Sequence, residues 1–307
     1  RISPCDPDVI LMDMMMPDGT TMHMHNSTYQ DESDVKTGLS SNMAISPTKP
    51  KVGDVVTLRF FVNTKPENKA FDGLVLEHER FMHVIGMRSD LNEFFHVHPV
   101  QVSSGTWEIK QIFTKPGIYH VYSDISTGES GYSFGHIPFT ILETDGKEVS
   151  VSNPDVSFFK NVLTNDRNYQ VFMDTDTPLI TGRVATIQMV VKESDGHGIV
   201  LENFLGVPMH LAVISADFKS YIHTHPAGLV KGDSEDSEHF AGVFSPDIAL
   251  AHSESTAEPE AESKTVVFNV TFPKPGIYKL FAQFRPKGIN LPDDKSEIGT
   301  FYVKVEE

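Results

Sequence analysis

Phe113-Thr114-Lys115-Pro116-Gly117-Ile118-Tyr119 recurs as Phe272-Pro273-Lys274-Pro275-Gly276-Ile277-Tyr278, so the chain carries one seven-residue frame twice. Working outward, Met82-His83 recurs as Met209-His210, and His96-Val97-His98-Pro99 recurs as His223-Thr224-His225-Pro226. The step from the single histidine to the paired ones is 13 residues in both copies (83 to 96, 210 to 223). Self-similarity at fixed offsets marks a repeated structural unit.

Further upstream, Val56, Leu58, Phe60 and Val62 align with Ala185, Ile187, Met189 and Val191. The stretch before the shared frame reads Trp107, Ile109, Phe113 in one copy and Val266, Phe268, Val270, Phe272 in the other. Apolar residues at every second position make a half-buried strand. Turn signals separate these runs: Lys-Pro-Gly at 115–117 and 274–276, Ser104-Gly105, Asp145-Gly146 and Asp195-Gly196. The expected fold is all-β, with two tandem immunoglobulin-like or cupredoxin-like sandwiches of about 100 residues each. The expected boundaries are an arm over 1–35, a first domain over 36–145, a linker over 146–165 and a second domain over 166–307. From the paired histidines to Lys-Pro-Gly the second copy is 32 residues longer (223 to 274 against 96 to 115). The excess, over 231–263, is acidic and rich in small residues, which predicts a solvated loop.

The formal charge of −17 argues against nucleic acid or an anionic membrane as partner and favours cations. No run of about 18 apolar residues occurs, so no transmembrane segment is expected. A first residue that is not Met suggests a removed leader and a secreted, extracellular or periplasmic address. Cys5 is the single cysteine, which excludes an internal disulfide and any site needing several thiolates. Its place after Pro4 is a poor fit to a lipidation motif, and a free or intermolecularly paired thiol is the simpler reading. Asn26-Ser27-Thr28 and Asn269-Val270-Thr271 fit the glycosylation sequon, the second inside a predicted strand.

Residues two apart on a strand point the same way, so His96 with His98, and His223 with His225, each present two imidazoles on one face. The 13-residue step back to His83 or His210 suits a neighbouring antiparallel strand, through turns at 88–92 and 216–219. Each hairpin would then gather three imidazoles, a set that suits Cu(II) or, as second choice, zinc. Pro99 and Pro226 place the pairs at strand ends, where solvent and metal can enter. The alternative is that these histidines bond to loops and serve structure alone. Met82 and Met209 belong to the core by strand alternation rather than to the ligand set. His78, His120 and His136 have no counterpart in the second copy, where Lys279 stands for His120.

In the arm, Met22-His23-Met24-His25 alternates thioether and imidazole, a soft-ligand strip suited to copper as Cu(I) or Cu(II). Val9 to Met16 is apolar enough to act as a strand donated to a neighbour. The stretch Asp6 to Gly19 is similar to the phosphoacceptor strand of a receiver domain, but the doubly wound domain that strand requires is not encoded around it.

The motif set Met82-His83, Asp90-Leu91, Phe94, His96, His98-Pro99, Gly105, Phe113, Gly117, Tyr119, Asp124 resembles the HxHP-containing β-sandwich domains of secreted bacterial proteins grouped as YtkA-like or copper-resistance-linked. The resemblance covers about 100 residues per copy and implies metal handling outside the cytoplasm, with no established reaction. The second copy departs from it, with Asp217-Phe218 for Asp-Leu and Gln283 at the position of Asp124, which weakens the implication for its site. The functional expectation is a non-enzymatic, secreted, copper-binding protein. The blue-copper arrangement would need a thiolate that neither domain has, and nucleophile elbows and phosphate loops are absent. The alternative is a structural subunit of an extracellular filament or surface layer, a homo-polymer assembled through the amino-terminal strand.

Overall fold

The computed structural model describes residues 37–230, 263–292 and 295–307, and the strand backbone of 12–15 and 21–24. Strands account for all regular structure among these residues, and no helix is long and apolar enough to cross a membrane. The all-β expectation holds. In the amino-terminal segment β1 (Met12–Met15) pairs antiparallel with β2 (Thr21–Met24), Asp13 opposite His23. Residue 25, residues 9–11 and 16 of the donor stretch, Cys5, Asn26 and the acidic insertion 231–262 lie outside the described residues.

The first repeat contributes β3 (Gly38–Ser46), β4 (Val55–Lys65), β5 (Met82–Arg88), β6 (Phe94–Val97), β7 (Val100–Ser103), β8 (Thr106–Ile112), β9 (Gly117–Ser126), β10 (Gly131–Gly135) and β11 (Phe139–Ile141). One sheet runs β3-β4-β8-β7 and the other β10-β9-β5-β6, with β11 also on β9. The second repeat contributes β12 (Asn161–Leu163), β13 (Tyr169–Thr175), β14 (Leu179–Ile180), β15 (Val184–Glu193), β16 (Leu201–Glu202), β17 (Met209–Ser215), β18 (Tyr221–Thr224), β19 (Gly228–Val230), β20 (Thr265–Thr271), β21 (Gly276–Pro286) and β22 (Glu297–Glu306). Its sheets run β12-β13-β15-β20-β19 and β14-β22-β21-β17-β18, with β16 on β21. By contact density the chain forms two compact units, one of residues 1–156 with 212–223 and one of 157–211 with 224–307.

The alternation read from the sequence fills the cores. Val56, Leu58, Phe60 and Val62 are fully buried and share one core cluster with Trp107, Phe113, Val121 and Ile141; Ile187, Met189, Phe268, Val270 and Phe272 are buried in the same way in the second repeat. The recurring Phe-x-Lys-Pro-Gly-Ile-Tyr frame has a physical basis. Gly117 and Gly276 open their strands at φ of +133° and +145°, a region that favours glycine. Tyr119 then donates its hydroxyl to the carbonyl of Lys115 at 2.9 Å, and Tyr278 to that of Lys274 at 2.8 Å. Phe113 and Phe272 pack edge-on against these tyrosines at 4.7 and 5.0 Å. The frame is a tyrosine corner that fixes the entry of a long core strand.

Candidate metal centre

β5 places Met82 and Val84 in the sandwich core, so His83 and Ile85 point to the opposite face of the sheet. On β6, Val97 faces the core and His96 the other side. Cross-strand pairing sets Val84 against Val97 and Ile85 against His96, which brings His98 level with His83. Two turns hold this register. In one, Leu91 sits at φ +59° and Asp90 accepts from the amide of Asn92 at 3.1 Å; in the second repeat Phe218 sits at φ +60° and Asp217 accepts from the amide of Lys219 at 3.1 Å. Pro99 follows, and the chain leaves one sheet for the other, as β6 and β7 belong to different layers.

The three histidines of each repeat do converge. His83, His96 and His98 offer ring nitrogens within 4.8 Å of one another, and so do His210, His223 and His225. Ring centroids lie 4.9 Å apart for His83 and His98 and 4.7 Å for His210 and His225, nearly perpendicular in both cases. His83, His96, His210 and His223 are buried, whereas His98 and His225, next to Pro99 and Pro226, keep partial exposure. In the unit that includes 212–223, Tyr221 stacks on Tyr122 at 4.5 Å and Phe218 on His120 at 3.8 Å.

The partner that orients the first histidine of each set is not legible in the sequence. His83 donates its Nε2–H to the carbonyl of Glu77 at 2.9 Å, and His210 donates its Nε2–H to that of Phe204 at 2.9 Å, six residues upstream in both. A carbonyl only accepts, so the proton is on Nε2, and a neutral ring keeps its lone pair on Nδ1. The accepting residue opens a tight turn in each copy. His78 and Glu79 sit at φ +47° and +67° between paired Glu77 and Arg80; Leu205 and Gly206 sit at +53° and +80° between paired Phe204 and Val207. Metal-bound histidines characteristically donate their other N–H in this manner.

The Nδ1 of His83 faces Nε2 of His96 at 3.1 Å, a contact that needs one shared proton. Among the described residues, the buried Nε2 of His98 meets no hydrogen-bond partner. Burial, and then the neighbouring His223 and His96, hold His83 well below the usual histidine pKa, and burial lowers His98 as well. Neutral imidazoles are the form in which histidine binds a metal. Nitrogens around one ion at about 2.0–2.1 Å stand no more than about 4 Å apart, so small side-chain rotations close the set. The donor set therefore fits a divalent cation, and binding would displace the proton that His83 and His96 share.

Other titratable groups are placed for structure. His136 meets Ser123 Oγ at 2.8 Å and packs edge-on to Phe60, and His120 meets Ser89 Oγ at 3.3 Å. Glu193, Asp195 and His197 form an exposed group whose bonds close the turn they occupy. Of the arm, Met22, His23 and Met24 lie on β2.

Fold and site define a class: tandem β-sandwiches, each with a three-histidine set on the outer face of one sheet. The profile of the family described as "Domain of unknown function (DUF8832)" matches residues 18–141 and 163–294, and the chain belongs to that family. A search of curated proteins returned no match. Similar solved structures include the Escherichia coli adhesin FdeC (9% identity, 88% of this chain, 66% of that one, TM-score 0.26). They also include the Yersinia pseudotuberculosis adhesin InvE (11%, 88% and 60%, 0.25) and the bacterial integrin-binding protein invasin (9%, 87% and 39%, 0.24). The chain spans less than two thirds of each of these proteins, and at such TM-scores no functional argument is drawn from them.

Proposed function

We propose that this protein binds copper, with zinc as the second choice, outside the cytoplasm and without catalysing a reaction. The observation that carries the reading is the duplicated ligand architecture. Two hairpins keep the same three histidines, the same 13-residue step and the same Nε2–H bond to a carbonyl six residues upstream. A ring whose far N–H is fixed on a carbonyl keeps its other nitrogen turned toward the neighbouring imidazoles, the arrangement that ligation requires. The likeness to YtkA-like HxHP domains supports the extracellular address and the choice of copper. Met22, His23, Met24 and His25 would serve as a copper-loading arm.

Titration of the full chain with Cu(II), Cu(I) and Zn(II), read by calorimetry and elemental analysis after gel filtration, tests this. One tightly held ion per histidine set is expected; a chain that emerges metal-free after each titration contradicts the reading. The alternative, a surface or filament subunit, is favoured by one observation. β7 is an edge strand among the described residues, and its Val100 and Val102 are exposed. Unpaired edges of this kind accept an added strand. Sizing and electron microscopy separate the two, since discrete copper-bound monomers exclude polymerisation by strand donation.

A further inference from the structure

Asp124 lies on β9 directly opposite His83 on β5, yet its carboxylate engages other residues. Oδ2 accepts the hydroxyl of Tyr221 at 2.6 Å and stands 3.1 Å from Nδ1 of His223, while Ser133 donates to Oδ1. Asp124, Tyr221 and His223 are all buried, and Tyr221 is fixed further by its stack on Tyr122. His223 also packs within 5.1 Å of His96 and 5.3 Å of His83, ring centre to ring centre, as close as those rings are to each other.

We propose that Asp124 is a positioning residue for metal ligation by His223: the carboxylate takes the Nδ1 proton and leaves Nε2 as the ligand atom for the ion of the His210, His223, His225 set. An ionised carboxylate only accepts, so it selects the Nδ1–H tautomer. A carboxylate bonded to the far nitrogen of a ligating imidazole also raises its basicity and fixes its plane. His210 reaches the same end through the opposite nitrogen, its Nε2–H going to the Phe204 carbonyl. The set would thus ligate through Nδ1 of His210 and Nε2 of His223. The residue aligned with Asp124 in the second repeat is Gln283, which donates its amide to Ser296 Oγ at 3.1 Å. The inference rests on the metal-binding reading above and assigns a residue to it.

The test uses the full chain loaded with Cu(II), comparing D124N, H223A, the double variant and Y221F. Asn preserves the shape but can turn an N–H toward Nδ1 and so favour the wrong tautomer. D124N is expected to weaken one ion 10- to 100-fold, the usual cost of losing such a partner. It is also expected to change the remote-nitrogen quadrupole coupling of one bound imidazole in pulsed EPR, a signal that mere loss of stability does not move. In the H223A background D124N should add no further loss. If D124N does not fold, Y221F, which removes one bond to the carboxylate and keeps the ring, should still shift that coupling. A wild-type affinity and coupling in D124N, an unshifted coupling in Y221F, or a D124N effect that persists in full without His223, overturns the assignment. A wild-type chain that takes up no ion overturns the metal reading itself, which keeps the two failures apart.

Discussion

His83 gives its Nε2–H to the carbonyl oxygen of Glu77 at 2.9 Å, and this bond decides which nitrogen of the ring is left to face His96. His83→Gln separates the structural duty from the ligand duty, because the Gln amide can still donate to that carbonyl. The expected outcome is a stability change within about 1 kcal/mol, the worth of one hydrogen bond, alongside a loss of metal affinity of more than ~100-fold. Urea unfolding and metal titration of the same preparation check both halves.

The turn that presents the carbonyl holds Glu79 at φ +67°, where the second repeat has Gly206 at +80°. A non-glycine residue there is strained. Glu79→Gly should stabilise the metal-free protein by about 0.5–1 kcal/mol, and Gly206→Ala should destabilise it by about 1 kcal/mol. Thermal unfolding midpoints measure the two shifts, which should have opposite signs.

Tyr119 and Tyr278 anchor their strands through the hydroxyl bonds to Lys115 and Lys274. Tyr119→Phe and Tyr278→Phe should each cost about 1–2 kcal/mol by leaving a carbonyl less well satisfied. Metal content should stay at the wild-type level in both, since neither ring is in a histidine set. Denaturant midpoints and elemental analysis read the two effects.

Burial lowers the pKa of His136 to about 3 and that of His120 to about 4, against an ordinary value of 6.5. The folded chain therefore resists protons that the unfolded chain accepts. Stability from these groups is whole above pH 6.5 and is lost as the pH falls through 5 toward those lowered values. His136 alone should account for a loss on the order of 1–2 kcal/mol between pH 6.5 and pH 5. His136→Gln, which can keep a bond to Ser123, should flatten the stability profile over that window by the same amount.

The sandwiches were legible because burial imposes period 2 on the sequence: Val56 to Val62 and Ala185 to Val191 read as strands and are buried as strands. The histidine sets were legible because equal spacing in two copies fixes equal register across a hairpin. The carbonyls of Glu77 and Phe204 were not, because a backbone oxygen leaves no mark on residue type; the matching tight turns six residues before each histidine are the faint signal of them. The pairing of Asp124 with His223 joins residues 99 positions apart and follows from no period or repeat. Aligning Asp124 with Gln283 gave no sign that the carboxylate meets Nδ1 of His223.

The most direct test of metal binding through the two histidine sets is the copper content of the purified full chain before and after His96→Ala with His98→Ala. The wild type is predicted to hold one copper per set, and the double variant to lose the ion of the His83 set while keeping the other. An unchanged copper content would contradict the account.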